Sequence, residues 1–131
     1  MSPSDYQPHQ PHHPHLLGRK GEDEAVRYLL SCGYLIIERN WRGSCGEVDI
    51  IAGARCEESE EIIFIEVKTR SSLRFGDPFD AITTSKYRRI YTLAREWIAI
   101  HHPRSPWRID VILLVANRMG FELVHHKGLI A

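Results

Sequence analysis

Three charged residues stand where apolar strands ought to carry none. Asp49 interrupts Val48-Asp49-Ile50-Ile51, and Glu66 and Lys68 interrupt Phe64-Ile65-Glu66-Val67-Lys68. An isolated charge in such a strand is costly, so these residues are expected to be paired, near strand ends, or bound to a metal. Side chains alternate along a strand, which sends Glu66 and Lys68 to the same side. If the two strands pair as a hairpin, Asp49 approaches Glu66 on that face. Two hard carboxylates with open coordination positions suit Mg²⁺ or Mn²⁺, which favour oxygen ligands and keep several waters. A lysine beside them can orient or deprotonate an attacking water and offset charge growing on a phosphate. A buried Asp/Glu–Lys salt bridge would use the same three residues, and spacing alone does not choose between the two.

Other acids are candidates for the same centre. Glu22 follows Gly21 on a helical stretch, where it either completes a metal shell or simply favours the positive end of the helix dipole. Glu47 lies two before Asp49, on the same face by strict alternation, at the solvated start of its strand. Asp110, a further charge among apolar residues, is read as a structural partner of Arg108 or Arg39. The bases are unevenly spread. Residues 57–66 hold five acids and no base, whereas residues 68–95 hold seven bases against Asp77 and Asp80. Arg70, Arg74, Lys86, Arg88 and Arg89 therefore form a candidate surface for nucleic-acid phosphate, with an ordinary solvated helix face as the alternative. The formal net charge of zero argues against a simple polyanion-binding protein.

The elements that must position these residues are legible from periodicity. Leu17 to Cys32 carries a helical stripe (Leu17, Ala25, Leu29, Leu30) and Gly33 follows as a C-terminal cap. Cys32 is expected to pack in that helix as a small hydrophobe. Tyr34–Arg39 reads as a first strand, ended by a turn at Asn40-Trp41-Arg42-Gly43. Val48–Ala52 is a second strand and Ile62–Lys68 a third, with a polar hairpin loop between them. The third is apolar on both faces up to Glu66, the mark of a central strand covered by helices. After a loop at 71–80, Thr84 or Ser85 caps a helix running to about Ile100, with Ile90, Leu93, Ala94, Trp97 and Ile98 as its stripe. Trp107–Val115 and Phe121–His125 are the fourth and fifth strands. The order α-β-β-β-α-β-β implies an α/β fold, a mixed sheet flanked by helices.

The chain has 131 residues, enough for one domain with a hydrophobic core and no staples. Residues 1–16, Pro- and His-rich at the outset, are expected to be a disordered tail and residues 17–131 the domain. Four of the eight histidines fall in that tail, where a spacer is the simpler reading than a metal site. Three cysteines without a C-x-x-C pair argue against a disulfide framework and a cysteine zinc site. No apolar run reaches the length of a membrane span, and no signal peptide is recognisable, so a cytoplasmic protein is expected.

Several blocks together resemble a known family. They are G-E-D-E-A-V-R-Y-L (21–29), G-Y (33–34), R-N-W-R (39–42), G-E-V-D-I-I-A (46–52), F-I-E-V-K-T-R (64–70) and R-F-G-D-P (74–78). The Lys86-Tyr87-Arg88-Arg89 helix and the R-I-D-V strand at 108–111 complete the set. They resemble the YraN-like family, itself similar to the PD-(D/E)xK nuclease superfamily near archaeal Holliday-junction resolvases. The resemblance covers residues 17–131. It implies a restriction-endonuclease-like sheet and a Mg- or Mn-dependent endonuclease acting on DNA, branched or damaged DNA being the candidate substrates. It matches Asp49 to the first motif acid, Glu66 to the second, Lys68 to the motif lysine and Glu22 to an additional helix ligand. The first motif reads Val48-Asp49 rather than Pro-Asp, which removes no ligand. A homodimer is expected by the same resemblance. The alternative function is a nucleic-acid-binding module with this fold and no turnover.

Overall fold

The structure, a computed structural model, describes residues 14–56, 59–71 and 83–129. The expected tail before residue 14, and Arg74 with the Asp77-Pro78 dipeptide, lie outside the described residues. The elements follow the anticipated order: α1 (Pro14–Ser31), β1 (Leu35–Gly43), β2 (Gly46–Cys56), β3 (Ser59–Arg70), α2 (Thr84–His101), β4 (Trp107–Asn117) and β5 (Gly120–His126). The five strands form one mixed sheet in the order β1-β2-β3-β4-β5. All neighbours are antiparallel except β3 and β4, which are parallel and connected through α2.

Each face of the sheet is covered by one helix. Ala25 and Leu29 of α1 pack on Ile50, Ala52, Ile63, Ile65, Ile112 and Leu114. Ile90, Leu93, Ala94 and Trp97 of α2 pack on Val48, Ile51, Phe64 and Ile109. Residues 62–66 of β3 are buried in succession, as a strand covered on both sides must be. Thr83 caps α2, its side chain accepting from the Lys86 amide at 3.2 Å.

Five local expectations need correction. The cap of α2 is Thr83 rather than Thr84 or Ser85. Helix α1 starts at Pro14, ahead of Leu17; a proline suits a first helical turn because its N–H would be unpaired there anyway. Cys32 is not packed in the helix but exposed just beyond it. The supposed turn at residues 40–43 continues as strand, and the chain reverses instead at Ser44-Cys45. The polar stretch after Ala52 is also strand: Gly53 to Cys56 pair with Ile62 back to Ser59, and Arg55 meets Glu60 at 2.9 Å. Strand formation here follows from its neighbours rather than from intrinsic propensity, so a polar composition concealed it.

Candidate functional site

Asp49 owes its position to a fault in the sheet. Trp41 and Val48 are cross-strand partners and both pack beneath α2. Ile50, only two residues after Val48, packs instead under α1. The alternation of β2 therefore breaks at Asp49. The same break occurs opposite it in β1, where Arg39 reaches Asp23 of α1 at 2.8 Å while Trp41 lies on the α2 side. Asn40, between them, has φ 53°, in the left-handed region that asparagine tolerates better than most residues. The ladder between β2 and β3 ends at Ile50 and Ile65. One position further, the Asp49 carboxylate takes over as acceptor, and the Val67 amide donates to its Oδ2 at 2.7 Å.

Glu66 sits across from Asp49 and is only 6% exposed. Lys68 Nζ lies 3.4 Å and Arg89 Nη2 3.8 Å from its Oε1. The Asp49 carboxyl is pushed up to about 7, first by burial and then by the Glu66 charge; the Val67 hydrogen bond opposes this, Glu22 adds to it and Lys68 opposes it. Glu22 is raised as well, mainly by burial, against the Arg39 guanidinium and a hydrogen bond with Asn40. Its Oε1 is buried with no hydrogen-bond partner among the described residues. Gly21 allows this approach: a Cβ there would lie 2.2 Å from Thr69 Oγ1. Helix α1 thus presses against the end of β3, and Glu22 comes within electrostatic reach of Asp49.

The cations divide into two groups. Lys86 lies close to Lys68, and that neighbouring ammonium, with burial, holds its pKa below the ordinary lysine value, while the Glu66 charge opposes the fall and Arg70 adds to it. Lys68 and Arg89 therefore reach Glu66, Lys86 stands beside Lys68, and Arg70 is near Lys86. Arg88 does not join them; it is exposed on the outer side of α2 with Tyr91, Thr92 and Arg95. Glu47 pairs with Arg42 at 3.4 Å and lines a cleft of about 580 Å³ with Glu22, Asp23, Arg39 and Asn40.

A divalent cation fits the Asp49–Glu66 pair, because a carboxyl held near 7 partly by its neighbour's charge is relieved by positive charge between them. Among the described residues, no three His, Cys, Asp or Glu side chains form a ready metal cage. Two carboxylates with Glu22 at their margin match an ion that retains waters rather than one held entirely by protein.

A model of the uncharacterised protein family UPF0102 matches residues 21–114, a span containing Glu22, Asp49, Glu66, Lys68 and the α2 bases. The chain belongs to this family. The UPF0102 protein of Rhodococcus opacus strain B4 is 51% identical over 113 residues, covering 84% of this chain and 91% of that one. Those of Pseudarthrobacter chlorophenolicus and Phocaeicola vulgatus are 44% identical over 115 residues and 42% over 108, covering 86% and 82% of this chain and 84% and 86% of theirs.

Two contributors to this arrangement were not singled out by sequence reasoning. Asn40 looked like a turn residue, and Gly21 carried no packing signal, since a close approach between distant segments leaves no local trace. Trp41 and Tyr87 pack against the core beneath α2. Asp110 is structural, as anticipated, and its partner is Arg108 rather than Arg39. Fully buried, it accepts from Arg108 Nε at 2.9 Å, His125 Nε2 at 2.7 Å and the Gly128 amide at 2.9 Å. Tyr28 Oη contacts His125 Nδ1 at 2.7 Å, extending the network to α1. Among the described residues no helix is long and apolar enough to cross a membrane.

Proposed function

We propose that this UPF0102 protein is a metal-dependent endonuclease that hydrolyses phosphodiesters in DNA, on a sheet of the restriction-endonuclease-like, PD-(D/E)xK type. Branched or damaged DNA is the candidate substrate. The observation that carries this reading is the crowding of Asp49 by Glu66 with Lys68 alongside. A salt bridge built for stability would hold Asp49 below the ordinary carboxylate range, whereas burial and a second carboxylate push it up to about 7. Lys68 and Arg89 reach Glu66 but no base among the described residues pairs with Asp49, and a metal ion between the two carboxylates would supply that charge.

Asp49 and Glu66, with Glu22 beside them, would hold Mg²⁺ or Mn²⁺, which supplies Lewis-acid polarisation of a phosphate and a water of lowered pKa. The Val67 amide fixes the Asp49 carboxylate in place. Lys68, 3.4 Å from Glu66, orients the attacking water and offsets charge on the phosphate. Hydrolysis then leaves a 5′-phosphate. Arg70, Lys86 and Arg89 hold the backbone by charge without reading sequence.

The test is cleavage of supercoiled, single-stranded and four-way-junction DNA with Mn²⁺, comparing wild type with Glu66→Ala and Lys68→Ala. Both variants, checked for folding by circular dichroism, should lose at least ~100-fold in rate. Binding without cleavage by wild type on all three substrates would replace this reading with a nuclease-like binding module.

A further inference from the structure

From Thr83 to Trp107 the chain carries five Lys and Arg residues and a single acid, Glu96. Ser44, in the turn between β1 and β2, engages both Glu96 oxygens, through its amide at 3.0 Å and through its hydroxyl. The outer side of α2 is left cationic. Arg88, Tyr91 and Arg95, three and four residues apart, form one exposed line along the helix. The line ends at a cleft of about 540 Å³ walled by Arg95, His102 and Trp107 and lined also by Ile98 and Pro103. The helix end makes this cleft. His102 closes α2 in the left-handed conformation at φ 50°, its amide donating to the Ile98 carbonyl at 2.8 Å, and Pro103 cannot continue the helix. Tyr91 and Trp107 meet with ring centroids 5.4 Å apart, and Tyr87 lies 6.2 Å from Tyr91. Aromatic rings thus run from the first turn of α2, beside Lys86, to the cleft. Rings that stack on bases, with arginines to hold phosphates, make a surface for single-stranded nucleic acid. Bases within a duplex already stack on one another, so only unpaired nucleotides can use it. A second copy of this chain docked symmetrically here would set arginine against arginine, which repels.

We propose that the outer face of α2 binds an unpaired, single-stranded segment of DNA, with bases stacked on Tyr91 and Trp107 and phosphates held by Arg88 and Arg95. The two arginines stand about 10 Å apart along the helix, far enough to hold separate phosphates of one strand. The inference rests on the nuclease reading for nucleic acid as the ligand, but needs neither metal nor turnover. It gives that reading its substrate class: duplex with an unpaired branch, the branch lying along α2 away from the carboxylates.

The test is fluorescence anisotropy of the full chain with three labelled DNAs, a thymine single strand, a blunt duplex and the same duplex with a single-stranded flap, in EDTA so that cleavage plays no part. Wild type should bind the flapped duplex more tightly than the blunt one. Tyr91→Leu keeps an apolar contact for Trp107 but removes the ring, and should weaken binding of the single strand and the flap by about tenfold. Blunt-duplex affinity should change by less than about twofold. Arg88→Met and Arg95→Met should each lower the salt slope for the single strand by about 0.7. Arg27→Met, on α1 across the sheet, should leave binding of the single strand unchanged. Thermal unfolding separates lost binding from lost folding, and the two exposed arginines carry the test should Tyr91→Leu not fold. The proposal is overturned if wild type binds flapped and blunt duplex alike, if it binds no single strand, or if the folded variants bind the single strand like wild type. It is overturned equally if sedimentation shows a dimer that Tyr91→Leu dissociates while no DNA binds. Should the flap bind through Tyr91 and Arg95 yet nothing be cut with Mn²⁺, the surface stands and the nuclease reading fails. Cleavage of flapped DNA that all three α2 variants leave unchanged would keep the nuclease and remove this surface.

Discussion

Replacing Asp49 by Asn should make the protein more stable at neutral pH, and the size of the gain should depend on pH. The Asp49 carboxyl titrates near 3.8 in the unfolded chain and at about 7 in the folded one. Between those values the folded state holds a proton that the unfolded state has released. Stability therefore falls as pH rises through this window, by about 1.4 kcal/mol for each pH unit. The whole span amounts to ~4 kcal/mol, an upper bound because a buried pair relaxes when it ionises. Below pH 4 both states are protonated and the penalty vanishes; above pH 7 it is complete. Asparagine keeps the shape and can still accept from the Val67 amide through its side-chain oxygen, but it never ionises. Urea unfolding followed by tryptophan fluorescence at pH 5 and pH 8 would measure the effect. The quantity to compare is the difference between variant and wild type, because Glu22 and Asp110 titrate in both. At pH 5 the difference should be a minor part of its full value, and at pH 8 Asp49→Asn should be ahead by at least ~1 kcal/mol, several degrees in Tm. Saturating Mn²⁺ should erase the advantage by stabilising only the wild type. A variant less stable than wild type at pH 8, or a difference that does not change with pH, would refute the account of Asp49 as a carboxylate crowded by Glu66.

Two further outcomes follow from the packing. Gly21→Ala puts a methyl group 2.2 Å from Thr69 Oγ1, so α1 must shift; we expect a loss of ~1–3 kcal/mol in thermal unfolding and weaker Mn²⁺ binding as Glu22 moves away. Asp110 is held below the usual carboxylate range because hydrogen bonds from His125, Arg108 and the Gly128 amide outweigh the effect of burial. Its contribution is therefore present above about pH 4 and lost as pH falls through its folded-state value. Asp110→Asn should cost about 3 kcal/mol at pH 7 and flatten the acid limb of the stability curve below pH 4, read by circular dichroism.

Much of the molecule was legible before any coordinates. The order of elements followed from apolar periodicity, which survives in a single sequence because each helix or strand must bury one side or both. The central place of β3 showed in the unbroken run from Ile62 to Ile65. Asp49, Glu66 and Lys68 stood out because charge inside an apolar strand needs an explanation. What charge placement could not supply was geometry. Strict alternation would have put Glu47 and Asp49 on one face. Asn40, in a left-handed conformation opposite Asp49, coincides with the break in that alternation and leaves Asp49 at the open end of the β2–β3 ladder. No one-dimensional pattern separates such a residue from a turn. The division among the α2 bases was equally hidden. Lys86 and Arg89 face the carboxylates and Arg88 faces solvent, because helix rotation is set by burying Ile90, Leu93, Ala94 and Trp97 against the sheet. The approach of α1 to Thr69 depends on the missing side chain of Gly21, 48 positions away in the chain. Residue types and their spacing named the groups able to do chemistry. Only the packing of both helices on a faulted sheet brought them to one place.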